Sequence, residues 1–516
     1  MQYKQNAEIT KCEWRTEVYT ETGADYSLPD YNGDVRKILF TEAKVRPSGS
    51  FENGENIDFS GIIVYNLVYS DSENRINSVS FTSDYDQTVK CAEGSEPISV
   101  DTSVAGFSVR LLGPRKLSAK ATLNSKILLA RKESQSVDGS AFDGAVAPEA
   151  ETLFVNVMSA SCSERSEREY AEELARFDGV GADSVEVIYS NAECVIDSAG
   201  AEEGGVSIRG SIKINALIKC DSEEVKMLEK TLKVDEVIDF ASAQSAERIN
   251  ARADVSSVRC SLNADESGTS LVVNVIAEYS AESYGNDGAT LTTDVYRCDG
   301  ETENEYVDYK YLELLTLVSE KDEHSSKAAR ESIEMENIKE VICLGAQPKI
   351  SSVERTDDGV LITGEIQYSG IAVGVDEKEN VCYLPFKNSL TFDKNVNINC
   401  QNAQKMLFYP VISCFAPCAV IDENEIYVKC LLQTKLFACE EKCEKILLSS
   451  ELVSGSGEAI GDSKIVVYYP EKGETLFEIA KKFHTTVEKI STDNSISRSV
   501  SSDGEISLAE KKLLIY

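Results

Sequence analysis

The residues best suited to chemistry in this sequence are two pairs of cysteines. Cys414 and Cys418 lie in "CFAPC", and Cys439 and Cys443 lie in "CEEKC". Four thiolates make a complete ligand set for zinc, but a separation of three residues is looser than that of the common zinc knuckle. Reduced cysteines also serve as small apolar core residues. We therefore expect no metal, and metal analysis of the purified protein tests this expectation.

Groups for acid–base or nucleophilic catalysis are also scarce. The chain has only two histidines, His324 in a charged stretch with a helical pattern and His484 near the end of another helical pattern. We expect both at the surface, where neither can activate a cysteine nucleophile. With 88 Asp and Glu residues, close carboxylate pairs are inevitable and indicate no reaction. No phosphate-binding Gly-rich motif is present. The sequence predicts a non-enzymatic protein without cofactors.

A small binding module is predicted near the C-terminus, in "YYPEKGETLFEIAKKFHTTVEKISTDNSI". Thr475 and Glu478 have the spacing of a capping box at a helix start. The apolar face of this helix would be formed by Leu476, Ile479, Ala480 and Phe483, with Leu476 a core position. Val487 and Ile490 predict a second helix that ends at residues 493–495. The segments "KIVVYY" and "KKLLIY" predict a strand on either side of the two helices.

This segment, residues 464–516, resembles a LysM domain with βααβ order. The matching positions are Tyr468, Gly473, Thr475, Leu476, Ile479, Ala480 and Asn494. Glu474 replaces the usual Asp, and the usual Pro-Gly-Gln before the last strand is replaced by Ala509, Glu510 and Lys511.

The resemblance to LysM domains implies a shallow binding groove between two loops. The residues expected there are Gly473, Glu474, Thr475 and Leu476 in the first loop and Asp493, Asn494, Ser495 and Ile496 in the second. We expect Ile496 to be an exposed loop residue. The module has no Trp, and its only Tyr residues lie in the predicted strands, so the loops lack aromatic rings for stacking on sugars. Two ligands therefore remain open, a protein partner and peptidoglycan.

Three related copies of one pattern precede this module. The segments "ILFTEAKV", "VIYSNAEC" and "VICLGAQP" are each followed, 23 positions later, by a glycine in a strand-like run. These glycines are Gly61, Gly210 and Gly364, at offsets of 149 and 154 residues. A glycine inside a strand indicates a bulge, a bend or close packing against another backbone. The long period favours a tandem array of whole domains.

The alternation of apolar residues within each copy predicts buried strand faces. Around the glycines these residues are Ile57, Phe59, Ile63 and Tyr65, then Val206, Ile208, Ile212 and Ile214, then Val360, Ile362, Ile366 and Tyr368. Later in the copies they are Leu117, Ala119, Ala121 and Leu123, then Leu271, Val273, Val275 and Ala277, then Ile426, Val428, Cys430 and Leu432.

The predicted fold class is therefore multi-domain and mainly β. The three related repeats, each a sandwich or an open barrel, occupy residues 1–148, 149–300 and 301–456. Helices are predicted only for "SERSEREYAEELARF", Ser163 to Phe177, for the stretch from Ser319 to Ile342, and in the C-terminal module.

The first copy resembles the SPOCS domain of endospore-forming bacteria. The matches lie in "DYSLPDYNGDVRKIL" and "GPRKLSAKATLNSKI", at Leu28, Pro29, Asp30, Asp34, Ile38, Leu39, Arg115 and Lys116. Copies 2 and 3 lack these features and are assigned through the internal repeat. Three such copies before a LysM domain are similar to the layout of clostridial spore-coat morphogenesis proteins. This likeness implies a mother-cell protein at the forespore surface whose LysM domain binds the ATPase of the coat basement layer.

Composition narrows the partners and the compartment. The net charge of −36 disfavours nucleic acid and anionic membrane surfaces. No run of about 18 apolar residues predicts a membrane span, and the N-terminal residues lack a secretory signal pattern. Fifteen cysteines, an odd number, fit reduced thiols better than a disulfide framework. We expect a cytoplasmic protein.

Overall fold

The computed structural model describes residues 6–136, 149–220, 225–328, 338–375, 380–398, 405–422, 425–453, 465–496 and 512–516. Within these ranges the protein is mainly β, as predicted. Copies 1, 2 and 3 denote the three ranges defined above. Within the described ranges, no helix has the length and apolar character needed to cross a membrane.

Copy 1 consists of two antiparallel three-stranded sheets. Its strands are β1 (Asn6–Ser27), β2 (Lys37–Asn53), β3 (Asn56–Ser70), β4 (Ile76–Lys90), β5 (Ser95–Gly113) and β6 (Lys116–Ser136). One sheet has the order β1-β6-β5 and the other β2-β3-β4. The two sheets face each other across a core that contains the predicted residues of β3 and β6. The copy is therefore a sandwich.

Copies 2 and 3 repeat this arrangement. The strands of copy 2 are β7 (Glu149–Cys162), β8 (Ser166–Asp178), β9 (Val185–Glu202), β10 (Gly205–Cys220), β11 (Val225–Asp239), β12 (Arg248–Asp265) and β13 (Gly268–Tyr296). Those of copy 3 are β14 (Glu301–Ala328), β15 (Ile338–Thr356), β16 (Gly359–Val375), β17 (Val381–Asn397), β18 (Met406–Asp422) and β19 (Glu425–Val453). In copy 2, β7 and β8 run end to end along β13 and take the place of a single first strand.

The alternating apolar residues predicted for the strands are all buried. Every one of the 24 positions named above is at most 4% exposed. Each copy has its own core between its two sheets. The period-two pattern identified these strands because one face of each strand packs on the opposite sheet while the other does not.

The two helices predicted inside the repeats are wrong. Residues Ser166–Asp178 form β8, and Ser319 onward continues β14 to Ala328. The rest of that second stretch enters β15 at Ile338, and residues 329–337 lie outside the described ranges. Helix propensity amounts to a few tenths of a kcal/mol per residue and yields to tertiary context. Here β8 pairs with β13, and hydrogen bonds join Tyr170 of β8 to Tyr279 and Glu236.

The repeated glycines lie in the central strands β3, β10 and β16, each beside a one-residue register slip in the neighbouring strand. A Cβ atom at any of the three would overlap a backbone carbonyl oxygen of that neighbour. These carbonyls belong to Arg46, Val195 and Lys349. The glycines therefore permit a bulge to press closely on the central strand, as the sequence predicted.

The three copies pack against one another. One apolar cluster combines Leu39, Phe40, Val68 and Ile76 of copy 1 with Ile188, Tyr189, Leu217 and Val225 of copy 2 and Ile342, Leu344, Ile371, Val373 and Tyr383 of copy 3. A second joins Cys12, Ile98, Leu128 and Ala130 to Met158 and Tyr284 and to Leu312, Leu314, Phe437 and Cys439. The three sandwiches therefore share two cores, which the sequence did not predict.

The C-terminal module has the predicted βααβ order. Strand β20 (Val466–Tyr468) pairs with β21 (Leu513–Ile515), and the helices are α1 (Leu476–Lys482) and α2 (Val487–Asp493). Ile479, Ala480, Ile490, Leu513 and Ile515 form its buried core.

Candidate functional site

The first loop of the predicted groove is held by a capping box. The Glu478 backbone N–H donates to Thr475 Oγ1 at 3.2 Å, and the Thr475 backbone N–H donates to Glu478 Oε2 at 2.8 Å. This reciprocal pair satisfies two backbone donors at the start of α1. Gly473 precedes it with φ of +91°, a conformation that favours glycine. The capping box confirms the predicted helix start.

The carboxylate of Glu474 is engaged within the module. It accepts a hydrogen bond from the Tyr468 hydroxyl at 2.8 Å and another from the Glu471 backbone N–H at 3.0 Å. Lys482 lies 4.7 Å from the Tyr468 ring centroid and donates to its hydroxyl. Because these bonds occupy Glu474, its position in the groove is a structural one at the base of the loop.

Asn494 connects the second loop to the closing strand. Its Nδ2 donates to the carbonyl oxygens of Ile490 and Leu514, and its Oδ1 accepts from the Leu514 backbone N–H at 2.6 Å. The side chain thus fills both hydrogen-bonding positions of Leu514 on β21. This arrangement gives the Asn of the LysM pattern a structural role.

Two of the eight groove residues differ in burial from expectation. Ile496 was expected to be exposed, but it is 9% exposed and belongs to the module core. Its backbone N–H donates to the Ser491 carbonyl, which turns the chain inward after α2. Leu476, expected in the core, is half-buried at the core's edge. Gly473, Thr475, Asp493 and Ser495 are exposed and remain the accessible part of the predicted groove.

The module is docked on the β-rich body through α1. The Phe477 ring packs edge-on against Tyr296 at the end of β13, with 5.1 Å between the ring centroids. The Tyr296 hydroxyl donates to the Thr485 carbonyl at 2.7 Å, and Lys481 forms an ion pair with Asp294. Burial raises the pKa of Tyr296 far above its usual value, so the ring stays neutral in this contact.

Sequence reasoning missed this contact, although a signal for it existed. Phe477 is apolar yet lies outside the predicted apolar face of α1, which contains Leu476 and Ile479. A large apolar side chain on the second face of a short helix indicates a further packing partner.

Cys414 and Cys439, one from each predicted cysteine pair, lie far apart. Cys414 is opposite Leu432 on β19, whereas Cys439 is opposite Leu407 on β18, about seven residues or roughly 23 Å along the strands. In the part of the chain that the structure describes, no three His, Cys, Asp or Glu side chains group as a metal site requires.

The histidines are half-buried rather than at the surface, and His324 lies in β14 rather than in a helix. Burial lowers the pKa of His324.

The comparisons with known proteins bear on this module. Residues 471–500 match the LysM domain family. The chain therefore carries a LysM domain, placed on a large three-copy β body. No curated protein matches the chain.

Proposed function

We propose that the protein is a non-enzymatic scaffold in endospore coat assembly. Its LysM domain would bind the coat-basement ATPase at the forespore surface, in the mother-cell cytoplasm. The layout is similar to that of the clostridial spore-coat morphogenesis protein SipL, and copy 1 resembles SPOCS domains. The observation that carries the proposal is a LysM domain mounted on a body of three sandwiches with shared cores.

The composition of the groove favours a protein ligand over a sugar. Its exposed residues are Gly473, Thr475, Asp493 and Ser495, none of which offers a ring on which a sugar could stack. Peptidoglycan binding is the second candidate function, because the LysM match favours a carbohydrate- or peptidoglycan-binding role.

The experiment compares the full chain with a chain that lacks residues 464–516. Both are tested for capture of the purified coat-basement ATPase and for co-sedimentation with purified sacculi. We expect the full chain to retain the ATPase and the shortened chain to lose it. Circular dichroism and a cooperative melt verify that the shortened chain is folded, since the deletion uncovers Tyr296.

Unchanged capture by the folded, shortened chain would refute the assigned role of the LysM domain. Binding of the full chain to sacculi without capture of the ATPase would establish the second candidate instead.

A further inference from the structure

The two-stranded sheet of the LysM domain has an apolar outer face. Val467 pairs with Leu514, and both alternate with side chains that pack on the helices, so they lie on the outer side of the sheet. Continuing this alternation two residues outward from Val467 and Leu514 adds Ile465, Tyr469, Lys512 and Tyr516, which lie just beyond the ends of the two strands. We call these six residues the outer sheet face.

This face is open while the opposite face is used for folding. Ile465, Val467 and Tyr469 are 61%, 46% and 68% exposed, and Tyr516 is 40% exposed. The alternating inner residues pack on α1 and α2. Docking on the body uses α1, so it does not cover the outer sheet face. Leu514 is half-buried between them. Four exposed apolar side chains grouped on and beside one small sheet are typical of an interaction surface.

The charge of this face differs from that of the chain. The protein has 88 acidic against 52 basic residues, but residues 464–516 contain eight of each. The six side chains of the outer sheet face include no carboxylate and one cation, that of the exposed Lys512. An acidic group of a partner would be repelled by most of this protein's surface but attracted here.

We propose that the outer sheet face, rather than the groove between the loops, is the principal partner-binding surface of the LysM domain. Its occupant is a protein segment that presents apolar side chains to Val467 and Tyr469 and a carboxylate to Lys512. The inference rests on the proposed function, in which the LysM domain binds a protein. A second copy of this chain fits the face poorly, because two bodies of net charge −36 repel each other.

The test measures the affinity of full-length chains for the purified coat-basement ATPase. Val467→Ser and Tyr469→Ser remove apolar contact from exposed positions and leave the core intact. Lys512→Glu is matched by Lys489→Glu, the same charge change at an exposed position on α2. Asp493→Ala and Ser495→Ala probe the groove. Melting temperatures establish that every variant is folded.

We expect Val467→Ser, Tyr469→Ser and Lys512→Glu each to weaken binding about tenfold or more, as for central interface residues. Lys489→Glu and the two groove variants should remain within about twofold of the parent chain. Loss of binding in the groove variants alone overturns the inference and leaves the proposed function intact. A parent chain that binds neither the ATPase nor sacculi overturns both.

Two other occupants have distinct signatures. A concentration-dependent dimer in sedimentation that Tyr469→Ser dissolves would identify a second copy and overturn the proposal. Binding to sacculi that is lost in Asp493→Ala but kept in Tyr469→Ser would show that peptidoglycan binds in the groove, and would overturn the proposal.

Discussion

At the scale of single residues, most of the positions singled out in the LysM segment stabilise the module rather than offer groups for binding. Thr475 and Glu478 cap α1, Glu474 holds Tyr468, and Asn494 ties α2 to β21. Ile496, expected to be exposed in the binding groove, is a core residue. A substitution at any of these positions would therefore change folding and binding together, so binding is better tested at exposed side chains.

Replacement of Asn494 tests this distinction. In Asn494→Ala, both the N–H and the carbonyl of Leu514 lose their partner, which should destabilise the module by about 2–3 kcal/mol. Hydrogen exchange measures the effect as faster exchange at Leu513–Ile515. Asp493→Ala, one position earlier and exposed, is the control and should leave exchange unchanged. Equal hydrogen-exchange rates at Leu513–Ile515 in the two variants would show that Asn494 does not stabilise β21.

At the scale of elements, the sequence predicted strands far better than it predicted helices outside the LysM domain. Alternation is a local signal, and every alternating residue identified around Gly61, Gly210 and Gly364 and in the later strands is buried. The stretch Ser166–Asp178 is rich in helix-forming residues, and only its pairing with β13 makes it a strand. That pairing joins residues about a hundred positions apart, so no local pattern could reveal it.

The repeated glycines provide a prediction for the elements. In Gly210→Ala, the new Cβ would overlap the Val195 carbonyl, so β9 and β10 must separate locally. We expect a loss of about 2 kcal/mol in the free energy of unfolding, measured by urea titration. Gly200→Ala in β9 has open space around the added Cβ and is the matched control. A stability for Gly210→Ala equal to that of the control would refute the packing role of the repeated glycine.

At the scale of the whole molecule, the three copies are joined by partly buried charged groups as well as by apolar clusters. Arg252 of copy 2 lies 2.7 Å from Glu282 and 3.5 Å from Asp101 of copy 1. Lys435 of copy 3 donates to Asn250 at 2.7 Å. Burial lowers the pKa of Lys435 to about 8. The sequence could predict neither these contacts nor the two shared cores, because each depends on how whole sandwiches meet.

Glu282→Gln tests the importance of this junction. The carboxylate also accepts hydrogen bonds from Asn250 and Tyr284, so the amide removes the countercharge of Arg252 and opposes existing donors. We expect a loss of about 2 kcal/mol, less than for a fully buried ion pair, because Arg252 is 25% exposed and keeps Asp101 nearby. Glu169→Gln makes the same charge change at an exposed position of β8 and should be near neutral. Equal urea midpoints for the two variants would contradict the prediction.

Alkaline pH should unfold the assembled body. Burial raises the pKa of Tyr170 to about 12 and that of Tyr409 to about 12, against about 10 in an unfolded chain. Because the folded pKa is the higher one, these tyrosines stabilise fully below pH 10 and lose their contribution between about pH 10 and 12. Urea midpoints followed from pH 9 to 12, with tyrosinate absorbance, should fall across that window. A flat profile would contradict the prediction.

The contact of Phe477 with Tyr296 also fixes the orientation of the LysM domain on the body. A domain on a free linker samples many orientations, whereas this one has a single pose set by a ring pair, a hydrogen bond and an ion pair. If the proposed function holds and the bound partner is a regular polymer, chains bound side by side would all point the same way. Their acidic bodies would form a uniform outward layer, with spacing dictated by the polymer and by mutual repulsion.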